Sequence, residues 1–232
     1  MSKLLTLITA CLLIFSATGA QATDFFGGGG PTPMYLMVDY GDLNEHIEGI
    51  GVSCLEDGTF LMGWSTYIYV HSNVRVGLMG AGGSKLAEGM DDLITREAKA
   101  GIGFFGATGE YVINFMQGDV AVGTMLGWGH ADIELRQIMS DPVDWDLIWD
   151  PYAQEPSLPN NFGNSLSGNF FAYQPFARFK YKLTGWLSLQ GSAGYLGAKV
   201  DSWKQRGGVE IEDGPSLDFG GVIFALGPHI GF

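Results

Sequence analysis

Two segments of the sequence alternate with a period of two residues and yet offer no face suited to water. In 120–129, valine, leucine and tryptophan side chains alternate with alanine, glycine and methionine, and Thr124 is the polar exception. In the later part of 217–232, phenylalanine, leucine and isoleucine alternate mainly with small or apolar residues. A period of two is that of a β-strand, whose successive side chains point to opposite faces. Such strands need apolar surroundings on both sides.

The same periodicity predicts strands elsewhere in the chain. The predicted strands are 60–70, 74–80, 94–105, 110–116, 120–136, 171–181, 187–195 and 217–232. Short glycine-containing breaks at 106–109 and 117–119 favour hairpins, and hairpins join antiparallel strands. About eight strands, an even number, can close into an up-and-down barrel that has no free edge. We therefore predict an all-β fold, an antiparallel up-and-down β-barrel.

Two environments fit strands that are apolar on both faces. A membrane barrel of this size places lipid outside the wall and side chains inside a filled lumen. The polar continuation at 130–136 then extends its strand beyond the bilayer into water. The alternative is a soluble periplasmic or secreted β-sandwich or barrel that binds a ligand, with these strands buried between covered faces.

The carboxyl-terminal segment carries a family resemblance. It has an aromatic last residue and apolar residues at most second positions before it, namely Phe224, Leu226, Ile230 and Phe232. This pattern resembles the terminal strand of small bacterial outer-membrane β-barrel proteins of the OmpA and OmpX type, and the hairpin 181–195 resembles one of their periplasmic-turn hairpins. The resemblance implies recognition by the barrel-assembly machinery, contact with outer-membrane lipid and location in the outer membrane of a Gram-negative-type bacterium. Pro228 departs from the pattern because proline lacks the N–H that a strand ladder uses.

Residues 1–22 have the composition of a secretory signal peptide. A positive charge at Lys3 precedes an apolar run, and small residues lead to a cleavage-type triplet that ends at Ala22. The apolar run is shorter than the roughly 20 residues that a membrane-spanning helix needs. An acylated Cys11 is the alternative, which the apolar residues after it argue against. Removal of this segment leaves Cys54 as the one cysteine, so we expect no internal disulfide.

The remainder of the chain divides into a lead and a barrel. We expect 23–56 to be an N-terminal lead or plug segment, because it combines the glycine run 27–30 with the acidic stretch 42–48. The barrel domain then covers 57–232. Its one long insertion, 137–167, contains four prolines and is expected to be an external loop, since loops of this length commonly carry function or are disordered.

That insertion holds the candidate binding residues. Acidic and aromatic side chains alternate there, at Asp141, Asp144, Trp145, Asp146, Trp149 and Asp150. Carboxylates can bind Ca²⁺, and aromatic faces can bind a sugar. The segment lacks the fixed spacing of an EF-hand loop. The simpler interpretation, an acidic loop whose tryptophans pack on the barrel rim or at the membrane interface, is the one we favour.

Charge and motifs exclude several function classes. The 25 acidic side chains outnumber the 12 basic ones, and no basic cluster is present to contact nucleic acid. The glycine pattern 101–106 lies inside a predicted strand, so it does not indicate dinucleotide binding. The four histidines lack paired metal spacing. His130 and Glu134 share a strand face and invite comparison with lipid-modifying barrel enzymes, which use a histidine with a serine and an acidic residue near the rim. Such a same-face pair is also ordinary for a solvated strand end. We expect a non-catalytic protein without metal or cofactor.

Overall fold

The computed structural model describes residues 27–91, 94–139, 162–205, 208–212 and 214–231. These residues form twelve strands and one short helix. In chain order they are β1 (Gly27–Pro31), β2 (Met34–Val38), α1 (Gly41–Glu48), β3 (Thr59–His71), β4 (Val74–Asp91), β5 (Ile94–Phe115), β6 (Gly118–Met139), β7 (Phe162–Lys182), β8 (Leu187–Leu196), β9 (Lys199–Val200), β10 (Lys204–Gln205), β11 (Leu217–Asp218) and β12 (Gly221–Gly231). The predicted signal peptide lies outside the described residues.

A closed ring of antiparallel strands forms the wall of the fold. From β3 to β8, each strand pairs with the next one along the chain. β12 pairs with β8 along one edge and with β1 and β2 along the other, and these two strands pair with β3. With β1 and β2 counted as one interrupted strand, eight strands close the ring. The predicted antiparallel up-and-down barrel is confirmed.

The expectation of a lead or plug over 23–56 is wrong for β1 and β2, which form the first wall strand. The glycine run of β1 permits its close approach to β12. A Cβ on Gly30 would overlap the carbonyl oxygen of Pro228. Between the parts of β12 that pair with β1 and with β2, the ladder is interrupted. Pro31, Pro33 and Pro228 lie at this interruption, where they lack N–H donors.

β5 is one continuous strand of 22 residues, whereas the sequence predicts two strands separated by a turn at 106–109. Its pairing with β4 and with β6 runs through all four of these residues. A Cβ on Gly106 would lie 2.6 Å from the carbonyl oxygen of Leu126, so glycine serves close strand packing there. The sequence predicts eight strands and the wall has eight. The numbers agree only because the prediction counts β5 as two strands and omits the first wall strand.

The two ends of the barrel differ. At the turn end, short turns at 72–73, 116–117 and 183–186 join the strands, and the ring begins and finishes beside them. At the loop end lie α1 and the small strands β9, β10 and β11. Residues 137–139 and 162–167, predicted to belong to the long loop, are strand residues of β6 and β7. The rest of that insertion lies outside the described residues.

Side chains alternate between the lumen and the outer surface along the wall, as the predicted strand faces require. On β7, Phe171 and Phe179 are exposed outside, while Gln174 and Arg178 are buried. Towards the loop end the lumen is apolar. Its buried side chains there include Leu36, Leu61, Met79, Ile102, Phe104, Met125, Phe170 and Ile223.

Described segments at the loop end pack onto this apolar lumen. Leu43 and Ile47, four residues apart on one face of α1, are buried in the same core. Trp203 is buried with them, and its Nε1 donates to the carbonyl oxygen of Pro215 at 2.8 Å. Burial raises the pKa of Tyr40. Within the described residues, no helix is long and apolar enough to cross a membrane.

The first strand provides a test of the ring closure. Gly30→Ala should destabilise the barrel by about 1 to 3 kcal/mol, because overpacking against the Pro228 carbonyl must be relieved by backbone movement. Gly109→Ala is the matched control, since a Cβ there meets nothing within 4 Å. Urea unfolding in detergent micelles measures both variants. Equal unfolding midpoints would contradict the close approach assigned to Gly30.

Candidate functional site

Five charged side chains form an alternating series inside the turn half of the lumen. Arg178 donates through Nη1 to Oε1 of Glu110 at 2.7 Å, and Arg75 donates through Nε to Oε2 of the same carboxylate at 2.7 Å. Arg75 also donates through Nη1 to Oδ1 of Asp119 at 3.1 Å. Lys180 donates through Nζ to Oδ2 of Asp119 at 2.8 Å. These five residues are called the ionic network below.

Strand register brings the network together. Arg75 lies opposite Glu110 in the pairing of β4 with β5, and Asp119 lies opposite Lys180 in the pairing of β6 with β7. Arg178 precedes Lys180 by two residues, so both side chains point to the same face of β7. The four adjacent strands thereby place five charges at one level of the barrel.

The ring of Tyr67 extends the network to β3 and β12. Cζ of Arg75 lies 4.4 Å from the ring centroid and Nζ of Lys180 lies 4.9 Å from it, distances suited to cation–π attraction. Lys180 also donates to the Tyr67 hydroxyl oxygen at 2.7 Å. The ring of His229 stacks on Tyr67 with the centroids 5.1 Å apart. Tyr67, on β3, therefore contacts cations from β4 and β7 and stacks on His229 of β12.

The network is withdrawn from solvent. The exposed fraction of its side chains ranges from 0% to 8%. Gly123 helps to accommodate it, since a Cβ there would lie 2.7 Å from Cγ of Glu110. Charges taken out of water must be paired and hydrogen-bonded, and removal of one partner is costly. The network thus closes the lumen with groups that depend on one another.

Arg178 marks the boundary between the polar and apolar parts of the lumen. Its Cζ lies 4.7 Å from the ring centroid of Phe176, and its Nη2 lies 4.0 Å from Sδ of Met79. Phe176 and Met79 both belong to the apolar core. A path along the lumen would therefore have to cross the buried ionic network and then the packed apolar side chains.

A cavity of about 750 Å³ opens below the network at the turn end. Tyr67, Asp119 and Lys180 line it, so it reaches the network. Tyr69 and Trp186 contribute aromatic surface to the same cavity. This size is within the range of small-molecule sites.

The binding residues predicted in the long loop lie outside the described residues. Asp141, Asp144, Trp145, Asp146, Trp149 and Asp150 therefore remain a prediction. The terminal strand is described as far as Gly231, and Phe224, Leu226 and Ile230 all point outward and are exposed. Phe232 lies outside the described residues.

The structure does not join His130 to Glu134. Nδ1 of His130 is 3.1 Å from the side-chain oxygen of Asn169, whereas Glu134 accepts from Arg136 at 2.9 Å. His130 is exposed on the outer surface, away from the lumen. Among the described residues, no group of three or more His, Cys, Asp or Glu side chains is placed to hold a metal ion.

Sequence reasoning did not single out the residues of the ionic network, Arg75, Glu110, Asp119, Arg178 and Lys180. A usable signal was present, because each of these charges occupies a lumen-facing position in a strand whose opposite face is aliphatic or aromatic. In a small barrel such charges must find partners across the lumen.

Comparison with known proteins gives fold-level similarity. No protein-family model matches the chain, and no curated protein matches its sequence. The attachment invasion locus protein Ail of Yersinia pestis is 14% identical, over 90% of this chain and 97% of that one, with a TM-score of 0.41. AlkL, solved in DMPC bilayers, is 13% identical over 93% and 94% of the chains, with a TM-score of 0.46. OprG of Pseudomonas aeruginosa is 11% identical over 92% and 98%, with a TM-score of 0.45. All three are small bacterial outer-membrane β-barrel proteins.

Glu110 is the most informative residue to change. Glu110→Ala leaves two buried guanidinium groups without their shared carboxylate, and we expect a loss of about 3 to 5 kcal/mol in unfolding free energy. Glu134→Ala is the matched control, because that carboxylate is partly exposed and its ion pairs should contribute at most about 1 kcal/mol. Denaturant unfolding of the refolded variants measures both. A small, equal loss in the two variants would show that the network does not hold the barrel together.

Proposed function

We propose that this chain is a non-catalytic outer-membrane barrel with a closed lumen, which acts through the surface at its loop end. The apolar outer face of the wall carries this proposal. With β1 and β2 counted as one strand, every wall strand has exposed aliphatic or aromatic side chains on that face, including Met37, Phe60, Leu78, Ile113, Val122, Phe171, Leu189 and Leu226. A continuous apolar belt of this kind is stable in hydrocarbon and unstable in water.

The height of the belt suits a bilayer. On β7 it extends from Phe171 to Tyr181, ten residues along the strand. At about 3.3 Å per residue and a tilt of about 40°, this length corresponds to a band about 25 Å tall, the height typical of outer-membrane barrels. Beyond it, towards the loop end, outward positions become polar, as at Asp132 and Glu134.

Aromatic side chains border the belt. Strand register aligns Phe105 with Trp128 and Trp128 with Phe171, and the ring of Trp64 lies 6.1 Å from that of Phe105. Tyr111 and Tyr181 are exposed nearer the turn end. Tyrosine and tryptophan favour the membrane–water interface, because the ring is apolar and one end is polar. This distribution disfavours the soluble alternative, in which these rings would be exposed to water.

A closed lumen argues against a role as an aqueous pore. Beyond the cavity at the turn end, the ionic network and the apolar core fill the space that eight strands enclose, and such barrels are just wide enough for side chains. Function is then expected at the exposed ends. The long insertion with Asp141, Asp144, Trp145, Asp146, Trp149 and Asp150 remains our candidate for an extracellular ligand, with Ca²⁺ or a sugar as the chemistry its residue types favour.

Conductance tests the closed lumen. We expect the refolded protein to insert into planar lipid bilayers without stepwise ion conductance, because no water-filled path crosses the network. Altered migration of unheated samples on SDS gels verifies that the same preparation is folded. Steady single-channel steps typical of an aqueous pore, seen only in preparations that pass this check, would contradict the proposal.

Cys54 allows the orientation to be tested. It is exposed in the segment between α1 and β3, and its Sγ donates to Oε1 of Glu48 at 2.7 Å, which raises the pKa of the thiol. A membrane-impermeant maleimide should label Cys54 in intact cells. Glu48→Gln should accelerate labelling near neutral pH, because a lower thiol pKa increases the thiolate fraction. Cys54→Ser controls for background, and labelling that requires permeabilised cells would place the loop end in the periplasm instead.

A further inference from the structure

The ionic network contains one more positive charge than its carboxylates neutralise. It has three cations, Arg75, Arg178 and Lys180, and two carboxylates, Glu110 and Asp119. No other aspartate or glutamate is buried in the part of the chain that the structure describes. An uncompensated charge in a lumen surrounded by lipid is energetically costly. A further negative group beside the network would remove this cost.

Both arginines also retain unused donors. Nη2 of Arg75 and Nε of Arg178 are buried and have no hydrogen-bond partner among the described residues. The two guanidinium groups share the carboxylate of Glu110, so both approach the same point in the lumen. Buried polar atoms that lack partners in the protein commonly bind an ordered water or an ion.

Two neighbouring residues add polar groups without partners. Both ring nitrogens of His229 and Oε1 of Gln190 are buried and unpaired within the described ranges. His229 and Arg75 contact the ring of the same residue, Tyr67. A flip of the Gln190 side-chain amide exchanges its oxygen and nitrogen, so the NH₂ group can occupy the position of Oε1. Of the buried unpaired atoms in the described residues, those of the two arginines are donors, and His229, Gln174 and Gln190 carry groups that can donate.

We propose that the lumen beside Arg75 and Arg178 binds a small monovalent anion such as chloride. One bound negative charge balances the network, and the free guanidinium donors supply its hydrogen bonds. The cavity at the turn end, which Asp119 and Lys180 line, provides the route of entry. This site rests on the proposed function in one respect: lipid around the wall makes the unbalanced charge energetically costly.

Salt-dependent stability provides the test. Thermal unfolding of the full folded protein in detergent micelles is measured while sodium chloride replaces sodium gluconate at constant ionic strength. Gluconate is a much larger anion of the same charge, so the unfolding midpoint should rise saturably as chloride replaces it. The expected rise is about 5 °C at chloride concentrations well above the dissociation constant. Bromide should replace chloride and give an anomalous diffraction peak in contact with both arginines.

One arginine variant and one lysine variant distinguish anion binding at this site from general salt effects. Arg178→Met removes the excess charge while Arg75 still pairs with Glu110, so the chloride-dependent shift should disappear. Lys199→Met removes an exposed charge at the loop end, away from the network and from the cavity, and should retain the full shift. Equal midpoints of the unchanged protein in the two salts, or a bromide-soaked crystal with no peak at the arginines, would overturn the proposal. If Arg178→Met does not fold, the bromide experiment decides alone, and neither result depends on conductance or membrane location.

Discussion

Backbone hydrogen bonding constrains everything else in this fold. A strand in hydrocarbon must find partners for each N–H and C=O group inside the wall, so an open sheet edge is not tolerated. The ring meets this requirement when β1 and β2 fill the gap between β12 and β3. The glycines of β1 make that closure possible, since larger side chains would overlap the carbonyl oxygens of the neighbouring strands.

Closure then determines how the lumen is filled. Eight strands leave space for side chains and little else. Towards the loop end this space is packed with apolar residues, and towards the turn end it holds the ionic network. Arg178 contacts both regions, through Glu110 on one side and Phe176 on the other. The lumen therefore has two layers, one stabilised by apolar packing and the other by ion pairs.

The sequence was sufficient for the fold class and insufficient for the connectivity. Alternation in 120–129 and 171–181 predicts the strands, because a period of two places successive side chains on opposite faces of a sheet. Glycine was the source of both errors. In β1 and at Gly106 it marks close contact between strands, while local sequence patterns suggest a mobile lead and a turn.

The ionic network shows a second limit of sequence reasoning. Arg75 and Glu110 are distant along the chain, and only the register of β4 with β5 places them opposite each other. Lumen-facing charges can be recognised from alternation, but their partners depend on the register of several strands. The predicted binding residues at 141–150 lie in a predicted loop. The alternation of strand residues gives no information on the geometry of a loop.

The apolar outer face of the wall needs lipid or detergent to cover it. Sedimentation velocity of the folded mature protein, with and without detergent, measures this need. We expect a monomer in detergent micelles and aggregation when detergent is removed, because the exposed belt has no other cover. A folded monomer that persists in plain buffer would contradict it.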